Sequence, residues 1–160
     1  MNPTDIAAEV TRTVRAADVA QACCLQRLTV RGFADNLSPT FSPDGRRIAY
    51  VSSRAGPPQI YVMSVDGTDQ ELLAPFDFGV TGPSFAPEWW PDGASVVFHR
   101  EVSRSPQIFI LDVGSGRVRQ LTSVGRNEDA TWAPDGRHVA FVSDRSGRRQ
   151  AVGRTRHQTG

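Results

Sequence analysis

A segment of 16 residues occurs three times in this chain. SPTFSPDGRRIAYVSS (38–53) recurs without a gap as APEWWPDGASVVFHRE (86–101) and again as DATWAPDGRHVAFVSD (129–144). The aspartates of its Pro-Asp-Gly turns, Asp44, Asp92 and Asp135, are 48 and then 43 residues apart. That spacing fits a four-stranded propeller blade and is too long for a leucine-rich or ankyrin unit. The repeat therefore predicts an all-β fold, a fragment of a β-propeller.

The pattern within one repeat predicts a meander of four antiparallel strands. The first strand ends at the Pro-Asp-Gly turn (43–45), whose residues suit a tight turn. RRIAYVSS (46–53) follows with apolar residues on both faces, which is typical of a strand between two packed sheets. QIYVMSV (59–65) is the predicted third strand, and DQELL (69–73) is the outermost. We expect Trp89 and Trp132 to fill the core between blades.

The repeats predict two complete blades and part of a third, within residues 28–150. The copies cover 38–73, 86–122 and 129–150. After Gln150 the sequence AVGRTR lacks the apolar core of the other third strands, so we expect residues 151–160 to be a disordered tail. We therefore hypothesise that the chain is truncated, with a reading frame shifted just after Gln150. An arc of this kind leaves blade edges uncovered, which predicts self-association.

The segment before the first blade has a different character. Residues 1–27 are expected to be helical or irregular, with a helix over 4–24 that covers an exposed edge or, alternatively, binds a partner. QRLT (26–29) resembles RQLT (119–122), so it is a candidate outer strand of a blade whose other strands are absent. The segment lacks the unbroken apolar core of a secretory signal peptide, which predicts a cytoplasmic location if the chain is made as written.

Composition excludes several classes of partner. The net charge is +1, from 18 basic and 17 acidic residues, so no general attraction to nucleic acid or to a membrane surface is expected. No apolar run approaches the roughly 18 residues of a membrane-spanning helix, so membrane insertion is not expected.

The sequence contains no recognisable catalytic or metal-binding motif. The three histidines are isolated, the two cysteines are adjacent, and there is no G-x-S-x-G elbow. Asp44, Asp92 and Asp135 recur, but their place in Pro-Asp-Gly turns favours turn chemistry over catalysis. We therefore expect no enzymatic activity, no catalytic residue, no metal and no cofactor.

Two of these phrases resemble a known family. SPTFSPDGRRIAYVSSRAGPPQIYVMSVDG and NEDATWAPDGRHVAFVSDRSGRRQ are similar to the propeller repeats of the TolB family, from the Tol-Pal system of the bacterial cell envelope. The resemblance implies a six-bladed propeller that follows a small α/β domain and a cleaved signal peptide. It also implies a periplasmic location, no enzymatic activity, and binding to the peptidoglycan-associated lipoprotein Pal through the propeller.

Related repeats also occur beside prolyl-oligopeptidase-type catalytic domains. One alternative is therefore the propeller domain of a serine peptidase that lacks its catalytic domain. Another is a free-standing propeller that binds a ligand. A peptidase would need an elbow serine and a distant histidine in flanking sequence.

The meander connectivity predicts one face on which a partner could bind. Loops that connect blades share a face with the loops between second and third strands. Aromatic side chains in the long loop 73–87 are the candidate anchors of a protein interface, or alternatively pack onto neighbouring blades: Phe76, Phe78 and Phe85. Polar residues before the innermost strands should rim the central channel, where they contact a partner or a cation or are simply hydrated: Asp35, Asn36, Asn127, Glu128 and Asp129.

Overall fold

The computed structural model describes residues 28–29, 34–74 and 81–155, and every regular element in these ranges is a β-strand. The predicted all-β class is confirmed. The predicted N-terminal helix lies outside the described residues, as do Phe76, Phe78 and the end of the chain from residue 156.

The strands form three antiparallel sheets in chain order, each of them a meander. The first blade contains β1 (Asn36–Phe41), β2 (Arg47–Ser52), β3 (Gln59–Ser64) and β4 (Glu71–Ala74). The second contains β5 (Thr81–Trp89), β6 (Ser95–Val102), β7 (Ser105–Asp112) and β8 (Val118–Gln120). The third contains β9 (Asn127–Trp132), β10 (His138–Ser143) and β11 (Gln150–Thr155).

Strand β11 corrects one expectation. Residues 151–155 are not disordered, because β11 pairs with β10 without a break from Gln150 opposite Ser143 to Thr155 opposite His138. Backbone N–H and C=O groups form the hydrogen bonds between β10 and β11. Among the side chains of β11, Val152 packs against the apolar core. The hypothesis of a shifted reading frame concerns the gene and stays a prediction.

The apolar core lies between the blades. Trp89 packs with Ala49 and Val62 of the first blade, and Trp132 packs with residues of the second blade. The predicted role of both tryptophans is therefore confirmed. Trp132 also stacks on Trp90, with ring centroids 4.5 Å apart. Each sheet is covered by its neighbour, as expected from strands that are apolar on both faces.

The repeated aspartates stabilise the turns between first and second strands, as predicted. In each turn the Oδ1 atom accepts a hydrogen bond from the backbone N–H two residues later, at 2.8–3.1 Å. The glycine that follows has a positive φ in all three turns. The pKa of the Asp44 carboxyl is lowered below its usual value by hydrogen bonds that it accepts. The bond from the Ser42 hydroxyl has the larger effect, and the bond from the Arg46 N–H has the next largest.

One of these glycines also lies against the core. A Cβ atom on Gly136 would approach Trp90 Nε1 to 2.4 Å, whereas a Cβ on Gly45 would meet no atom within 4 Å. Their φ angles are nearly the same, at +66° and +69°. A substitution at Gly45 therefore measures only the free-energy cost of an L-residue in the left-handed conformation. A substitution at Gly136 adds the free-energy cost of a clash with Trp90.

We expect Gly136→Ala to destabilise the protein more than Gly45→Ala. Both substitutions should cost roughly 1–2 kcal/mol, because an L-residue is strained in this conformation. Gly136→Ala should cost about 1–3 kcal/mol more, since Trp90 must move within a packed core. Urea unfolding of both variants measures the difference, and equal free energies of unfolding would contradict the packing described here.

Candidate functional site

Two classes of loop meet on one face of the arc, as the connectivity predicts. The loop between the second and third blades contacts the loop between β10 and β11, because Arg126 N–H donates to Asp144 Oδ1 at 2.7 Å. Asp144 N–H donates in turn to the Arg126 carbonyl at 3.2 Å. On the second blade, Gln107 Nε2 donates to the Gly125 carbonyl at 2.7 Å. We call this surface the loop face.

A buried polar network holds the loop face in place. Asn127 is completely buried, and its Oδ1 accepts hydrogen bonds from Ser143 Oγ at 2.8 Å and Arg145 Nη2 at 2.9 Å. Its Nδ2 donates to Gln107 Oε1 at 2.9 Å. Gln107 Oε1 also accepts from the Thr122 hydroxyl at 2.9 Å. The network connects the second blade, the loop after it and the third blade.

The candidate channel residues are therefore not equivalent. Asn127 was expected to rim the channel, but its side chain faces inward and no partner can reach it in this conformation. Asp35 and Asp129 are exposed, while Asn36 and Glu128 are half-buried. Glu128 forms an ion pair with Arg149. The structure brings Glu128 and Asp129 together at the start of β9, next to the buried network.

Phe85 packs inward as well. It is half-buried against the apolar cluster between the first and second blades, and its ring lies 5.6 Å from the His99 ring. For this residue, the structure favours the alternative that the long-loop aromatics pack onto neighbouring blades. Phe76 and Phe78 lie outside the described part of the chain.

An arginine stacked on aromatic rings recurs in each blade and was missed in the sequence. Arg54 lies over Tyr61 at 4.6 Å, Arg100 over Phe98 at 5.1 Å, and Arg145 over Phe141 at 5.2 Å, measured from Cζ to the ring centroid. Each Nε also donates to a serine hydroxyl. The signal was available for two of the blades, since Ser-x-Arg occurs at 52–54 and 143–145. Arg54 and Arg145 follow strands β2 and β10, so their cation–π contacts attach the loops after these strands to the sheets.

The innermost strands share a bend. Ser38, Ala86 and Asp129 occupy the same repeat position and have φ angles of 50°, 48° and 52°. The strand register shifts at each of them. Beside the bends, β1, β5 and β9 line a shallow depression of about 530 Å³. Asp129 places a carboxylate at this depression.

His99 connects the depression to the core. The Asp129 N–H donates to His99 Nδ1 at 3.4 Å, so this nitrogen acts as the acceptor and carries no proton. Burial lowers the pKa of His99, against the opposing effect of the carboxylates of Asp129, Glu128 and Glu101. His99 is therefore held as a neutral imidazole between the second and third blades.

The described residues show little that resembles an active site. His138 Nδ1 is 3.2 Å from Asp135 Oδ2, but both belong to an exposed turn. In residues 28–29, 34–74 and 81–155 there is no group of three or more side chains suited to hold a metal ion. No helix in these ranges could cross a bilayer.

A sequence model described as the TolB beta propeller domain matches residues 37–156. The chain belongs to the TolB β-propeller family. It is 37% identical over 113 residues to the Tol-Pal system protein TolB of Bordetella pertussis, a match covering 69% of this chain. The crystal structure of TolB from Acinetobacter baumannii is similar with a TM-score of 0.69 and 31% identity, over 82% of this chain.

The chain spans only part of its TolB relatives, 25% of the Bordetella protein and 32% of the Acinetobacter chain. A propeller beside a peptidase is more distant. The β-propeller domain of the Trilobed protease from Pyrococcus furiosus is 16% identical with a TM-score of 0.55, over 81% of this chain and 45% of that one. At this identity the likeness shows the fold alone.

We expect Asn127→Ala to destabilise the protein by about 3 kcal/mol, because Gln107, Ser143 and Arg145 would lose a hydrogen-bond partner in a buried site. The matched control is Glu128→Ala, which removes a more exposed ion pair and should change stability by less than about 1 kcal/mol. Chemical unfolding of both variants provides the measurement. Similar losses would contradict the proposed difference between these neighbours.

His99 should make stability depend on pH. The unfolded chain binds the proton near pH 6.5, and the folded chain binds it at a lower pH because burial disfavours the charged ring. The contribution of His99 is therefore complete above about pH 6.5 and is lost as pH falls through the folded pKa. His99→Gln keeps an acceptor for the Asp129 N–H but does not titrate. Its melting temperature should fall less between pH 7.5 and 5 than that of the natural protein, and parallel curves would contradict this assignment.

Proposed function

We propose that this chain is a protein-binding platform of the TolB type that acts in a Tol-Pal system and catalyses no reaction. The observation that carries the proposal is the loop face with its buried network. Asn127, Gln107 and Arg145 fix several loops at once, so the face is organised before a partner arrives. A surface that needs little ordering loses less free energy on binding.

We propose contact residues for this face. Phe76 and Phe78, in the loop between the first and second blades, are the proposed aromatic anchors. Asp35, Glu128 and Asp129 supply the polar rim with the amide of Asn36. Phe85 and Asn127 support the face from beneath, in agreement with their burial.

The proposed partner is a Pal-like peptidoglycan-associated lipoprotein. The relatives that support it carry the name Tol-Pal system protein. Such a partner places the functional protein in the periplasm. Fractionation of the native cells tests the location, because protein found only in the cytoplasm would contradict it.

A peptidase propeller has less support. Its structural likeness rests on 16% identity, against 31% for the Acinetobacter TolB structure. No contact in the described residues favours a small ligand over a protein partner.

We expect Phe78→Ala, or Phe76→Ala, to weaken binding to a Pal-like lipoprotein domain about 30-fold, because a truncated hot spot costs about 2 kcal/mol. Asp92→Ala is the control. The turn that contains Asp92 lies on the opposite face, so the affinity of this variant for the lipoprotein domain should not change. Calorimetric titration of folded variants measures both. If all the affinities are equal, this loop does not belong to the interface.

A further inference from the structure

The junction between the second and third blades contains a titratable side chain where the other blades have a valine. His99 lies on β6, opposite Phe85 of β5 and Ile108 of β7, and it is only 9% exposed. Val51 and Val142 occupy the same repeat position. A valine side chain neither titrates nor accepts a hydrogen bond, so in the described part of the chain this arrangement is particular to the second blade.

His99 contacts the third blade at an interruption in the sheet. Its Nδ1 accepts a hydrogen bond from the Asp129 N–H at 3.4 Å. The pairing of β9 with β10 shifts register between Glu128 and Thr131, and Asp129 lies in this interval. The imidazole thus supplies an acceptor at a place where the strand ladder is disturbed.

The backbone at this contact has an unfavourable conformation. Asp129 has a φ of 52°, in the left-handed region that disfavours residues with a side chain. A backbone of this kind is kept only where its surroundings hold it. The N–H of Asp129 is the group that His99 holds. Loss of this hydrogen bond should therefore allow the start of β9 to adopt a different conformation.

Proton binding by His99 removes the acceptor. A neutral imidazole has one N–H and one acceptor nitrogen, and in His99 the acceptor is Nδ1. A proton from solvent adds to the lone pair of Nδ1 and converts this atom into a donor. The Nδ1–H and the Asp129 N–H are then two donors that face each other, so the hydrogen bond between them is lost.

Carboxylates face the His99 ring from two of the elements around it. Asp129 and Glu128 belong to β9, and Glu101 follows two residues later on β6. From β5 and β7 the ring is faced by Phe85 and Ile108, which do not titrate. The carboxylates attract a protonated ring, so the imidazolium has acceptors that differ from the partner of the neutral ring.

We propose that His99 is a proton-dependent switch for the loop face. Near neutral pH the imidazole holds the bend at Asp129, and in mild acid the protonated ring releases it. The start of β9 then moves, and Glu128 and Asp129 of the proposed polar rim move with it. Binding of a partner should weaken as a result, and this consequence rests on the proposed function.

The switch operates below the usual titration range of histidine. Burial lowers the pKa of His99. The bend is therefore fully held above about pH 6.5 and is released as pH falls through the folded pKa. A partner that binds the held form has its full affinity near neutral pH and loses affinity in acid.

NMR of the ¹⁵N-labelled full chain tests the switch without a partner. Between about pH 7.5 and 4.5, we expect the Asp129 amide resonance to shift with the same midpoint as the His99 ring. The protection factor of this amide should fall about 10-fold across that midpoint, after correction for the intrinsic effect of pH on exchange. Ala86 is the internal control, because it has the same bend, with a φ of 48°, and its amide should not follow the His99 midpoint.

Several NMR results would overturn the proposal. One is a His99 ring that titrates while the Asp129 amide does not change. Another is a ring that stays neutral until far-UV circular dichroism shows that the whole protein unfolds. In His99→Gln the Asp129 amide should lose this midpoint, because glutamine accepts a hydrogen bond but does not titrate. The same midpoint in that variant would assign the change to another group and would also overturn the proposal.

Calorimetric titration with a Pal-like lipoprotein domain tests the consequence for binding. The natural protein and His99→Gln are compared at about pH 7.5 and at about one pH unit below the midpoint of the His99 ring. Between these conditions the dissociation constant of the natural protein should rise about 10-fold, and that of His99→Gln less than about 2-fold. Equal pH dependence of the two proteins would overturn the link between His99 and the loop face. Absence of binding at both pH values would contradict the proposed function alone, because the NMR result does not depend on a partner.

Discussion

The structure depends on apolar packing between blades. A sheet of four short strands cannot bury its own side chains, and strands such as β2, β6 and β7 are apolar on both faces. The tryptophans at the ends of the innermost strands fill the spaces between sheets, where Trp90 and Trp132 stack at 4.5 Å. Three features are consistent with this arrangement. They are the repeat length, the tight turn of Gly136 next to Trp90, and the burial of Asn127. Apolar packing therefore holds the blades together, while hydrogen bonds of the Asn127 network hold the loop face.

Local chemistry made most of the first two blades predictable. Turn position follows from the Pro-Asp-Gly sequence, because proline, the aspartate side chain and glycine each favour that conformation. Strand positions follow from alternation, and the inward tryptophans follow from their place before the turn. The loop face was predictable from connectivity alone. The contacts between Arg126 and Asp144 add the detail that loops of neighbouring blades are hydrogen-bonded to each other.

The remaining features depend on tertiary contacts. Strand β11 forms because β10 offers a backbone ladder, although only Val152 of its residues packs on the core. The shared bend at Ser38, Ala86 and Asp129 has no residue-type signal, since three different side chains adopt it. Asn127 was predicted at the channel because it is polar, but hydrogen bonds with its neighbours hold it inside the protein.

The most direct test of the account compares two signals during one unfolding experiment. All three tryptophans of the chain lie at contacts between blades, so their fluorescence reports the packing, while far-UV circular dichroism reports the strands. If the strands depend on packing between blades, the two signals should change together, with one midpoint in urea. A fluorescence transition complete at a lower urea concentration than the loss of strand signal would show that the blades persist without their contacts, and would contradict the account.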